Sequence, residues 1–120
     1  EVQAAMRRTA QEQAARQIEE NEERVVNALR DVISAQAAYR ATNGRYTGRL
    51  KSLKGDLDEG RLGYQFRLMV VSDSYRIYAS PTVPGATGRR YFYADESGII
   101  RANEDGKVGV KSPAVNGAEF

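Results

Sequence analysis

The sequence predicts an α+β domain in which one long N-terminal helix packs on an antiparallel sheet of about four strands. Three observations carry this. Residues 1–41 contain neither Gly nor Pro. From residue 64 the apolar periodicity switches to two. Polar and Gly-bearing turns then cut the second half into short runs that pair as hairpins. With 120 residues the chain has material for one core and not for two.

The helix is expected over residues 1–42. Ala, Glu, Gln and Arg dominate it, all strong helix formers. An apolar stripe runs Ile18, Val25, Val26, Leu29, Val32, Ile33, Ala37 at helical spacing. Glu19, Glu20, Glu23, Arg24, Arg30, Asp31 and Arg40 fill the opposite face. Asn43-Gly44 is a suitable stop, because both residues tolerate the left-handed conformation. Such a helix is about 63 Å long, longer than a domain built from the rest of the chain, so one end must protrude. Residues 1–17 hold only Val2 and Met6 as larger apolar side chains, so they are the expected stalk.

Residues 43–62 read as a connection broken by Gly44, Gly48, Gly55 and Gly60. Leu50, Leu53 and Leu57 allow a short turn there. In the sheet region, residues 63–120, Tyr64, Phe66, Leu68 and Val70 alternate with their neighbours. After Ser72-Asp73-Ser74, so do Tyr75, Ile77 and Ala79. The segment 80–88 holds two prolines and two glycines and cannot be a strand interior. Arg90–Ala94 and Ile99–Ala102 flank Asp95-Glu96-Ser97-Gly98 as a second hairpin. The tail from Asn103 is expected to be polar loop apart from Val108–Val110.

Composition excludes much chemistry. There is no His and no Cys, so His general bases, Ser-His-Asp and Cys-His sites, Cys/His zinc sites and disulfides are absent. Eighteen basic against sixteen acidic residues give a net charge of +2, and no basic run is longer than a pair such as Arg89-Arg90. That is a mild bias and not a nucleic-acid signature.

The order of elements and five local passages resemble the type IV pilin and type II secretion pseudopilin superfamily. The helix passage Glu20–Tyr39, with Asn21-Glu22, Leu29-Arg30 and Ala35-Gln36 before Tyr39, is similar to the second half of that family's helix. Asn43-Gly44-Arg45-Tyr46 with Leu50 and Leu53 resembles the passage that follows it. Gly63–Leu68 is similar to the first strand, Ala79-Ser80-Pro81 through Arg90-Tyr91-Phe92 to the link into the third, and Asp95–Arg101 to the last hairpin. The resemblance spans roughly residues 20–112. It implies a non-enzymatic structural subunit of an extracytoplasmic filament. That subunit is anchored on the periplasmic side of a bacterial inner membrane before it assembles. The family's apolar start, with its methylated Phe and a Glu near its beginning, has no counterpart in residues 1–17. The chain is therefore expected to be the soluble portion, with the inner-membrane assembly platform met through a segment outside it.

Within this frame the expected partners are other pilin subunits, and the expected assembly face is the exposed helix around Glu19, Glu23 and Arg24. No cofactor is expected. Some pseudopilins bind calcium in sheet-side loops, which makes Asp95 with Asn103 and Asp105 candidate ligands, although neither Asn103–Gly106 nor the other acidic stretch, Asp56–Gly60, has EF-hand spacing. The alternative function, from another class, is a binding module for nucleic acid or another polyanion. It would use Arg67, Arg76, Arg89, Arg90, Tyr91 and Tyr93, with Tyr91 and Tyr93 sharing one sheet face opposite Phe92. Steep weakening by salt would mark that reading.

Overall fold

The structure, a computed structural model, describes residues 2–53 and 59–115, with residues 2–8, 60 and 61 described by backbone alone. Leu57 and the chain beyond Val115 lie outside the described residues. Helix α1 runs Val2–Asn43 without interruption. Gly44 closes it at φ 75°, its N–H donating to the Arg40 carbonyl at 2.7 Å. A 3-10 turn at Leu50–Ser52 and the short helix α2, Glu59–Leu62, occupy the connection.

Four strands follow: β1 Tyr64–Val71, β2 Ser74–Pro81, β3 Tyr91–Asp95 and β4 Arg101–Asn103. They form one antiparallel meander in the order β1-β2-β3-β4. The fold is α+β, one long helix on a four-stranded antiparallel sheet. The β1–β2 hairpin turns in two residues, Ser72 and Asp73, between the Val71–Ser74 pair. Ser72 takes φ 54°, a conformation that the tight reversal imposes.

Register follows from the alternation. Phe66, Ala79, Phe92 and Ala102 stand in one row across the sheet, and Leu68, Ile77 and Ala94 in the next. Both rows face α1, which supplies Val25, Val26, Leu29 and Val32 to the same core. Ile33 and Leu68 pack at its edge. The buried helix positions are Ile18, Asn21, Glu22, Val25, Val26, Ala28, Leu29, Val32 and Gln36. The stripe is therefore corrected at its end: Ala37 is exposed, and the buried position is Gln36, one residue earlier. Before Ile18, by contrast, every described residue from Thr9 to Gln17 is exposed except half-buried Ala15.

The molecule measures 63 × 27 × 25 Å, the long axis being that of a helix that outruns its sheet. At the other end the tail departs from expectation. Val108–Val110 forms no strand, and the paired residue is Ala114, which bridges Arg101. Val115 N–H donates to the Ile100 carbonyl at 2.7 Å, and Ala102 N–H to Pro113 at 3.0 Å. β4 thus has backbone partners on both edges, and Val115 enters the core.

Candidate assembly surface

Three polar clasps fix the packed half of α1 to the rest of the fold. Asn21 and Glu22 hold the segment entering β3. The Asn21 side-chain amide donates to the Thr87 carbonyl at 2.9 Å. Glu22 accepts the backbone N–H groups of Arg89 and Arg90 at 2.8 and 3.1 Å, and Arg90 Nε donates to its other oxygen at 2.8 Å. Two main-chain donors and one guanidinium thus saturate a carboxylate that is nearly buried. About two turns short of the helix end, Gln36 works as a two-sided clamp. Its amide donates to the Thr47 carbonyl at 2.8 Å and accepts the Thr47 N–H at 3.0 Å. Gln36 is fully buried, so this pair replaces the water both groups have lost. Glu59 holds the start of the sheet, accepting the Phe66 N–H at 2.6 Å.

Gly88 lies inside the first clasp for a steric reason. A Cβ there would sit 2.0 Å from the Tyr64 hydroxyl, which donates to the Arg90 carbonyl at 2.7 Å. Only glycine lets the buried Tyr64 ring reach that carbonyl.

The clasps leave the flank of α1 free at Glu19, Glu23 and Arg24, all exposed. Arg24 reaches Glu20 at 3.9 Å, a loose surface pair. Glu19 and Glu23 line a shallow groove of about 300 Å³ with Val26, Asn27, Arg30 and Arg90. Its floor is the Glu22–Arg90 pair.

The residues of the polyanion alternative are dispersed. Arg67 and Arg76 stand on the outer sheet face, exposed. Arg90 does not join them: its guanidinium turns to the helix side, onto Glu22 and over the Phe92 ring at 5.1 Å. Arg89 is exposed, and its backbone N–H belongs to the Glu22 clasp. Tyr93 is 1% exposed and offers no face for stacking. Its ring meets Tyr78 edge-on at 5.3 Å, and its hydroxyl donates to Asp95 at 2.7 Å. Tyr91 is half-buried.

The calcium candidates are likewise apart. Asn103 pairs with Tyr91, and Asp95 lies four residues further along β3, about 13 Å away at strand rise. Both Asp95 oxygens are engaged, one by Ser97 N–H at 2.9 Å and the other by Tyr93. Asn103 and Asp105 accept the N–H groups of Asp105 and Lys107, as turn-forming side chains do. Among the described residues no cluster of three acids that could hold a metal exists. Burial pushes the Asp95 carboxyl up, but the hydrogen bonds from Ser97 and Tyr93 and the charge of Arg101 outweigh it. The net shift is downward.

Burial, aided by Glu22, Tyr46 and Asp95 respectively, raises the Tyr64, Tyr75 and Tyr93 hydroxyls far above the phenolic range. They therefore remain protonated, and those of Tyr64 and Tyr93 donate hydrogen bonds.

No family model, no curated protein and no solved structure matches the chain. The clasp residues escape a reading based on hydrophobicity, since Asn21, Glu22 and Gln36 are polar. Their phase carries the signal. Ile18, Glu22, Val25, Leu29, Val32 and Gln36 follow one 4-3-4-3-4 spacing down the core face.

Proposed function

We propose that the chain is the globular portion of a pilin- or pseudopilin-like structural subunit, and that its work is assembly rather than catalysis. One observation carries the reading. A single unbroken helix is divided into a half clasped to the sheet and a half that stands clear. A helix segment of nine or more solvated residues gains little stability alone in water, since isolated helices this short are marginal. Lateral packing against neighbouring helices supplies the missing contacts. The sheet then forms the outer surface, and the stem leads toward a filament axis or a membrane. None of the helices described is long and apolar enough to cross a membrane, so on this reading anchoring falls to another segment. The location implied is extracytoplasmic, on the periplasmic side of a bacterial inner membrane or in a surface filament.

The test uses the source cell. Antibodies raised against the 120-residue chain should decorate a thin surface or periplasmic filament by immunogold microscopy. The gene upstream of Glu1 should encode a short basic leader ending in Gly, then an apolar segment beginning with Phe. Diffuse cytosolic label, or an upstream region without an apolar segment, would overturn the reading.

A further inference from the structure

We propose that the groove beside the C-terminal end of α1 receives the Glu19–Glu23 stretch of a second copy's helix, in a head-to-tail contact that repeats without closing. This rests on the filament reading above and names the contact that reading lacks.

The groove has a volume of about 600 Å³, and Tyr39, Arg45, Tyr46, Arg49, Ser52 and Val70 are among its walls. The charged residues among its walls, Arg45 and Arg49, are both basic. Arg40 is already engaged, donating to the Asp73 carbonyl at 3.0 Å and lying 4.8 Å over the Tyr46 ring. Arg45 and Arg49 are exposed, and among the described residues neither guanidinium has a hydrogen-bond or ion-pair partner. Val70 adds an apolar patch that is 44% exposed. Cations without partners beside uncovered aliphatic surface fit a protein partner bearing carboxylates.

This chain carries such a partner surface. Glu19 and Glu23 lie one helical turn apart, exposed, with no ion-pair partner among the described residues. At 100° per residue they sit roughly 160–200° around α1 from Tyr39. The two surfaces thus occupy opposite flanks of the core stripe, and one copy can use both at once. Along the axis they are separated by about 30 Å. A parallel neighbour displaced by that distance brings its acids to this groove and leaves its own groove open for the next copy. Such a heterologous contact extends a row and does not form a closed dimer. Arg16 and Arg30 bracket the two acids, so a neighbour slipped along the helix would set Arg against Arg. Exposed ion pairs are individually weak. The contact is therefore transient between free chains, where a covalent bond can trap it, and is strengthened once the stem aligns the subunits at high effective concentration.

The chain has no cysteine, so paired cysteines can trap the contact. Asn27→Cys beside the acids and Ser52→Cys in the groove leave every charge in place. The doubly substituted chain, oxidised at low ionic strength, is expected to give a ladder extending past the dimer. That ladder should be lost at high salt and lost with Arg45→Glu/Arg49→Glu.

Charge exchange guards against misfolding. A Glu19→Lys/Glu23→Lys chain carrying Asn27→Cys should cross-link to an Arg45→Glu/Arg49→Glu chain carrying Ser52→Cys. Either should fail with an unswapped partner. Products no longer than the dimers of single-cysteine chains would overturn the contact, as would a ladder indifferent to salt and charge. A fluorescent single-stranded oligonucleotide, added without cysteines, tests the other occupant. Tight binding abolished by Arg45→Glu/Arg49→Glu, with no ladder, would assign the groove to nucleic acid instead. Immunogold decoration of filaments alongside a missing ladder would leave the subunit reading intact and reject only this contact.

Discussion

The two halves of α1 have similar helix-forming composition and opposite fates. Between Ile18 and Gln36, nine positions are buried and three polar side chains clasp the chain that crosses the helix. Between Thr9 and Gln17 the same regular backbone continues with no described side chain buried. The difference is not propensity, which Ala, Glu, Gln and Arg supply throughout. It lies in the phase of large side chains and in what the sheet presents opposite them. Helix formation here is local, and helix stability is tertiary.

The comparison is broken most forcefully in the packed half. Leu29 is fully buried against the sheet, so Leu29→Ala should cost about 2–5 kcal/mol through lost burial and a residual cavity. Urea denaturation measures it. An unchanged midpoint would mean that the stripe does not carry the core.

The next effect concerns the clamp. Gln36→Leu keeps the volume but deprives the Thr47 N–H and carbonyl of their partner in a buried site. A loss of about 1–3 kcal/mol is expected from the stranded backbone groups. Retained stability would show that water reaches Thr47 and that the helix end is not sealed.

Away from the helix, Asp95 gives a pH-dependent effect of smaller size. Its folded pKa lies below the ordinary 3.8. Its contribution is therefore complete above that ordinary value and is lost as pH falls through the lowered one. Asp95→Asn should flatten the acid limb of stability below about pH 4 and leave the pH dependence near neutrality unchanged. Denaturant midpoints taken across that range check it, and an acid limb as steep as the parent's would assign the dependence elsewhere.

The smallest expected effect is the most telling for the stem. Deleting residues 1–15 should leave the unfolding midpoint nearly unchanged while lowering the helical circular dichroism signal. The cut spares the Gln17–Asn21 side-chain bond at 2.9 Å.

Much of this architecture is legible in the residues. The 3.6-period stripe at Val25–Val32 and the alternation of Phe66, Leu68, Ile77 and Ala79 place helix, hairpin and register, because each side chain has one face on which to be dry. What hydrophobicity hides is polar and non-local. Gln36 is buried through Thr47, eleven residues on, and Glu22 through Arg89 and Arg90, 67 and 68 residues on. Tyr93 illustrates a further limit. Alternation puts it on the outer face, yet flanking Tyr78 and a hydrogen bond to Asp95 withdraw it from solvent. The closing of Pro113–Val115 onto β4 likewise depends on backbone bonds that no periodicity encodes. Of the candidate residues, Glu19, Glu23 and Arg24 are exposed, as the helical phase predicts, whereas Arg90 turns to Glu22 and Tyr93 is buried.

Native-state hydrogen exchange along α1 tests the division of the helix most directly. Amides from Val25 to Gln36 should exchange only through global unfolding, with protection equal to the stability of the domain. Those from Thr9 to Arg16 should open locally and exchange orders of magnitude faster. Uniform protection from Thr9 to Gln36 would contradict the account, because the stem would then be held as firmly as the core.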